Sequence, residues 1–127
     1  MAIYTSLSLT LKIATDVELT KLLQGRDKEV ITDTFDEYVG GVVDIAVSTT
    51  FTVPMTHITT GQFLYIETTN PIALHFSGGS DDVLVAPPAV GTKVRVILER
   101  ASFTGLTIEN QSALLVADAV TFVVLGT

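Results

Sequence analysis

The sequence predicts an all-β chain, an antiparallel β-sandwich of jelly-roll type with about eight or nine short strands, and three observations carry that expectation. About a third of the 127 residues are Thr, Val or Ile, side chains that are stiff at χ1 and pack well on a pleated surface. Apolar and polar residues alternate with period two along most of the chain, the mark of half-buried strands. Turn-forming residues recur at a spacing of roughly 8–12 residues, the rhythm of sandwiches and barrels. At this length one domain over residues 1–127 is expected, burying roughly two thirds of the surface of the unfolded chain, and no linker, low-complexity tract or internal repeat divides it.

The elements follow in order. Leu7, Leu9, Leu11 and Ile13 alternate with Ser8, Thr10 and Lys12, giving a first strand. Thr15-Asp16-Val17-Glu18 fits a capping box ahead of Leu19, Leu22 and Leu23, with Gly25 as a stop, so one short helix is expected near residues 16–24. A second strand is expected from Glu29 to Val39, ended by Gly40-Gly41 read as a turn. Val43 to Val53 reads as one long strand or two short ones, stopped by Pro54. Gln62 to Thr68 carries large groups on both faces, as a central strand does, and Asn70-Pro71 turns the chain. Ile72, Leu74 and Phe76 alternate with Ala73, His75 and Ser77, and Gly78-Gly79-Ser80-Asp81 closes a hairpin onto Val83-Leu84-Val85. Val94, Val96 and Leu98 face inward in the next strand, Leu106 and Ile108 in the one after it, and Asn110-Gln111-Ser112 makes a turn. Ala113 to Leu125 is apolar at almost every position, so a last strand buried on both faces or in a subunit contact is expected there.

Composition narrows the chemistry. Without cysteine there is no thiolate nucleophile, thiolate metal site or disulfide, and stability must come from packing, hydrogen bonding or assembly. The formal charge of −7 opposes a phosphate backbone, so no nucleic-acid partner is expected. Residues 1–10 have neither the cationic nor the apolar part of a secretory signal. The longest apolar run, Ala113 to Leu125, is broken by Asp118 and Thr121 and falls short of the roughly 20 residues of a spanning helix, so no membrane partner is expected.

The search for a reactive centre yields plain alternatives. His57 and His75 lie on separate segments without metal-ligand spacing; His57 reads as a loop residue and His75 as projecting from the polar face of its strand. No Gly-x-Ser-x-Gly elbow accompanies the Ser, His and Asp residues. Asp33, Asp36 and Glu37, with Asp44 brought across a turn at Gly40-Gly41, form the densest acidic group and a candidate for a hard cation, set against a solvated strand edge. Asp81 and Asp82 are a second such candidate, for which hairpin chemistry is the better explanation, and Gly78-Gly79 lacks the Lys-Ser/Thr of a phosphate loop. Tyr38, Phe63 and Tyr65 are candidates for a stacking platform, against the commoner role of cross-strand packing. The expectation is a non-enzymatic protein with no catalytic residues, no metal site and no cofactor.

Residues 61–74, Gly-Gln-Phe-Leu-Tyr-Ile-Glu-Thr-Thr-Asn-Pro-Ile-Ala-Leu, are followed by a Gly-Gly turn, by Gly105-Leu106-Thr107-Ile108-Glu109-Asn110-Gln111-Ser112, and by an apolar strand ending in Val123-Val124-Leu125-Gly126-Thr127. This series resembles the small β-sandwich virion proteins of tailed bacteriophages, in which an L-Y-I-E-T-x-N-P-I strand and turn, a G-L-x-I-x-N-x-S strand and a terminal apolar strand recur. The resemblance covers residues 61–127 well and residues 1–60 loosely, and its motifs describe strand pairing, with no reactive group among them.

The resemblance implies a jelly-roll-like virion structural protein. In the leading form it is a decoration or cement protein on the capsid surface, made in the host cytoplasm, with the major capsid protein or other virion proteins as partners and a dimer or trimer as its state. The alternative is a tail or fibre module that binds a host-surface glycan or protein through residues such as Tyr38, Tyr65 and His57. A small metal-dependent jelly-roll enzyme would need a histidine cluster that two separated histidines do not supply. Exposed strand edges pair with partner strands, so the candidate partner interface comprises Ile3, Leu7, Leu9 and Leu11 of the first strand and Val120, Phe122 and Val124 of the last.

Overall fold

A computed structural model describes residues 3–14, 22–79, 81–89, 91–99 and 101–127, with side chains described from Phe35 onward. Ten strands follow one another: β1 (Ile3–Ala14), β2 (Leu22–Phe35), β3 (Glu37–Ile45), β4 (Thr50–Thr52), β5 (Gly61–Thr68), β6 (Ile72–Ser77), β7 (Val83–Val85), β8 (Val94–Leu98), β9 (Gly105–Asn110) and β10 (Ala117–Gly126). No helix occurs among the described residues. Where the sequence reads as one sandwich over 1–127, the structure has two compact units, Ala2–Phe35 and Asp36–Thr127.

The first unit is a two-stranded antiparallel ladder of β1 and β2, running from Ile3 opposite Phe35 to Ala14 opposite Leu22, with register shifts between Leu9 and Leu11 and between Ile13 and Ala14. The expected helix near residues 16–24 is corrected at its C-terminal end, because Leu22, Leu23 and Gln24 already belong to β2; residues 15–21 lie outside the described residues. Cross-strand pairing in β2 outweighs the helical spacing of Leu19, Leu22 and Leu23, a pattern that extends over too few turns to stand alone.

The second unit holds two four-stranded antiparallel sheets, ordered β3-β10-β5-β8 and β4-β9-β6-β7. Inward-facing residues of both sheets form one core: Leu64 and Ile66 of β5, Val120, Phe122 and Val124 of β10, Ile72 and Leu74 of β6, and Leu106 and Ile108 of β9. Rings interlock within it, Phe51 against Phe122 with centroids 5.5 Å apart and Phe76 against Phe103 at 5.0 Å. Each such side chain contributes roughly 1.5–3 kcal/mol by leaving water, which makes the face shared by the two sheets the main source of cohesion. The strand at Gly61–Thr68 is central, paired on one side with β10 and on the other with β8.

Three expectations about strand boundaries change. The strand expected over Glu29 to Val39 is cut at Asp36, whose amide donates to the Gly126 carbonyl at 3.1 Å and starts the pairing of β3 with β10. Gly40-Gly41 is no turn: β3 runs through it, with Gly40 opposite Val123 and Gly41 opposite Phe122. A Cβ on Gly40 would stand 3.1 Å from the Phe122 carbonyl oxygen, so a residue without a side chain lets the two backbones approach at this point. The apolar run at Ala113 begins as a loop and becomes strand only at Ala117, with a register shift between Ala117 and Val120. Ala119 takes a φ of 51° there, a left-handed backbone held by its amide's 2.8 Å bond to Asp44 Oδ1. The Val43 to Val53 segment resolves into two strands, β3 and β4, around a loop with Ser48 at φ 52°.

Candidate functional site

The histidine on β6 sits in the most polar contact of the second sheet. His75 Nδ1 lies 2.9 Å from Asp82 Oδ2 and Nε2 lies 2.6 Å from Glu109 Oε2. Asp82 comes from the approach to β7, where its other oxygen accepts the Phe76 amide at 3.2 Å, and Glu109 comes from β9. Both ring nitrogens can donate only in the imidazolium form, and the hydrogen bonds accepted by Asp82 and then by Glu109 raise the His75 pKa above its usual 6.5 while His75 lowers that of Asp82. The cluster ties β6 and β9 to the segment before β7 and offers neither a nucleophile nor ligands converging on one point. His57 is exposed in a turn.

The acidic group does not assemble. With β3 straight, Asp36 and Asp44 stand roughly 25 Å apart at the rise of an extended strand, and Asp44 is engaged with the Ala119 amide; the side chain of Asp33 lies outside the described residues. Gly78 and Gly79 have φ of 84° and 141°, and a Cβ on Gly78 would collide with Thr104 Oγ1 at 2.5 Å, so the pair makes a tight turn against the segment before β9.

Tyr38, Phe63 and Tyr65 share the outer face of the first sheet. Tyr38 and Phe63 flank Leu125 from opposite sides, and Tyr38 is 60% exposed. The Tyr65 hydroxyl donates to Glu67 Oε2 at 2.7 Å, and Arg95 Nε donates to the same oxygen at 2.9 Å, while Lys93 reaches Glu67 Oε1 at 2.9 Å. The Tyr65 bond first, and then the Lys93 and Arg95 contacts, hold the Glu67 carboxyl at about 2. The hydroxyl of Tyr65 is thus occupied, and this face presents an aromatic row closed at one end by a satisfied charge network.

Of the expected partner interface, Val120, Phe122 and Val124 are buried in the sandwich core. They face the opposite sheet and are not available to a partner. Ile3, Leu7, Leu9 and Leu11 lie in β1, opposite Phe35, Ile31, Glu29 and Arg26 of β2; their side chains lie outside the described residues.

The apolar groups that reach solvent are elsewhere. Leu114 is 88% exposed, with Leu115, Val116 and Val47 beside it in exposure. Val47 belongs to the loop between β3 and β4 and the other three to the loop between β9 and β10, and Asn110, 1% exposed, fastens the two loops. Its Nδ2 donates to the carbonyls of Ile45, Ala46 and Leu115 at 3.0, 3.2 and 2.8 Å, and its Oδ1 accepts the Ser112 amide at 2.9 Å. Ser112 Oγ accepts the amides of Leu114 and Leu115, Ser48 N donates to the Ser112 carbonyl at 3.1 Å, and Asn70 Nδ2 donates to the Val116 carbonyl at 2.9 Å. Sequence reasoning placed residues 113–116 in a buried strand; the turn signal at Asn110-Gln111-Ser112 and the charge at Asp118 were the marks of a loop.

The described residues are all-β, with two packed antiparallel four-stranded sheets in the unit Asp36–Thr127 and a hydrogen-bonded loop pair that exposes apolar side chains. Comparison with protein families, with characterised proteins and with solved structures returned no match.

Proposed function

We propose that this chain is a non-enzymatic structural protein of a tailed-bacteriophage virion, a decoration or cement protein that stabilises the assembled capsid, with the sandwich built as a jelly roll. The strand order carries the reading. Numbered from β3, the eight sandwich strands are ordered 1-8-3-6 in one sheet and 2-7-4-5 in the other, an arrangement that suits a jelly roll, an architecture that viral capsid domains use. The residues that carry the resemblance, 61–127, form β5 to β10 and so contribute to both sheets. Fold alone does not confer function; the exposed apolar loop pair adds the kind of surface that marks an interaction site.

The mechanism is mass action. A protein that binds only the assembled shell stabilises it in proportion to its occupancy, with the major capsid protein as partner and a dimer or trimer as the bound form. The open edge of the β1–β2 ladder, which carries Ile3, Leu7, Leu9 and Leu11, is a second place for backbone pairing with a shell strand.

The test is cosedimentation of purified protein with undecorated heads of the source virus, with negative-stain imaging of the complex. Saturable binding at regular lattice positions supports the reading, and absence of binding to heads overturns it. The aromatic row of Tyr38, Phe63 and Tyr65 favours a second reading, a tail or fibre module that stacks on a host-surface glycan. Labelling of tails or of host cells, competed by free glycan, identifies that role.

A further inference from the structure

The loop pair at residues 46–49 and 111–116 has an unusual construction for a surface feature. Exposing Leu114, Leu115, Val116 and Val47 together forgoes the burial that large apolar side chains otherwise obtain. The loops that carry them are tied by hydrogen bonds to Asn110, Asn70 and Ser112. A contact surface fixed before binding loses little conformational freedom on docking, so this bonding prepares the tip for a partner.

The charges around the tip decide which partner. Asp44 and Asp118 flank it, both exposed, and neither takes part in an ion pair among the described residues. The segments 44–49 and 109–118 contain no Lys or Arg. Lys93 and Arg95 lie on or next to β8, the far edge of the first sheet from β3, and are committed to Glu67. An anionic membrane would repel this rim, and a symmetric contact of two tips would bring four carboxylates together. A protein recess with an apolar floor and basic side chains at its mouth is complementary on both counts.

We propose that the paired loops form a preorganised docking tip, in which Leu114 and Leu115 seat in an apolar recess of the capsid shell protein while Asp44 and Asp118 meet Lys or Arg at its rim. This rests on the decoration reading and names the surface through which that binding occurs.

The experiment titrates wild-type protein and the variants Leu114→Asp, Leu115→Asp and Asp118→Lys onto undecorated heads, with Val42→Asp on the outer sheet face as control. Thermal unfolding verifies that each variant folds. Leu114→Asp and Leu115→Asp are expected to weaken binding at least ~10-fold, the scale of a contact that anchors an interface, while Val42→Asp binds as wild type does. Asp118→Lys is expected to weaken binding and to reduce its sensitivity to salt. Hydrogen exchange on the wild-type complex is expected to slow at the amides of residues 112–116, a readout independent of any variant.

Wild-type binding that survives both leucine substitutions, with no protection at residues 112–116, overturns the docking tip and leaves the decoration reading standing. Failure of the wild type to bind heads overturns that reading and the tip with it. Self-association of the wild type that Leu114→Asp abolishes identifies a second copy as the occupant and also overturns the proposal.

Discussion

At the scale of single residues, buried polar side chains do most of the positioning. Asn110 satisfies three carbonyls with one amide group, and its truncation would remove that buried donor from all three. Asn110→Ala is expected to cost ~1–3 kcal/mol, the scale of lost hydrogen bonds to buried groups, and urea unfolding measures it directly. His75 sets a pH dependence of known sign. Its folded-state pKa is raised above 6.5, so the bridge to Asp82 and Glu109 contributes fully below about pH 6.5 and is lost as pH climbs through the raised value. Asp82, lowered from 3.8, works in the opposite direction: its contribution is present above about pH 3.8 and fades as pH falls through the lowered value. The melting temperature is therefore expected to fall between about pH 5.5 and pH 8.5 by more in the wild type than in His75→Gln. Equal slopes in the two proteins would show that the bridge adds nothing. The alternation in β6 placed His75 on the outer face; its two carboxylate partners come from positions 82 and 109, and no local pattern links those three.

At the scale of elements, period-two alternation told most about strands whose two faces differ. The strands around Leu64 and Leu106 were legible because their burial alternates with period two, whereas in β6 Ala73 is buried like Ile72 and Leu74, and in β8 Ile97 is half-buried like Val96 and Leu98. Alternation could not say where a strand ends when glycine sits inside it or when apolar residues continue into a loop. Gly40-Gly41 is a turn signal by local chemistry and strand interior by long-range pairing, because β10 supplies partners at Val123 and Phe122. Phe122 illustrates the consequence for the interface. An apolar residue in a terminal run reads equally as core or as contact, and the structure places its ring against Phe51 of the other sheet. Phe122→Ala is accordingly expected to destabilise the fold by ~3–5 kcal/mol, seen as a lowered denaturant midpoint; a residue serving only a partner contact would leave that midpoint within about 0.5 kcal/mol of wild type.

At the scale of the whole molecule, the sandwich core seen among the described residues lies within the unit Asp36–Thr127. Every residue of the buried cluster lies between Ile45 and Val124, and both sheets are complete within Asp36–Thr127. A chain of residues 36–127 is expected to unfold in a single cooperative transition, with calorimetric and van't Hoff enthalpies in agreement; two transitions, or none, would show that the sandwich needs residues 1–35. The acidic charge is also concentrated there, since the cations of this unit are Lys93, Arg95 and Arg100 alone, and salt is expected to influence assembly more than folding.

By itself the sequence determined that the chain is predominantly β, which residues of several strands point inward, and that no thiol chemistry is available, because composition and alternation are local properties. Only the tertiary structure decided that Gly40-Gly41 lies within a strand, that the C-terminal apolar run divides into an exposed tip and a buried strand, and that His75 meets two carboxylates. Each of these depends on which strand lies alongside, and pairing between residues far apart in the chain leaves no periodic trace in either partner.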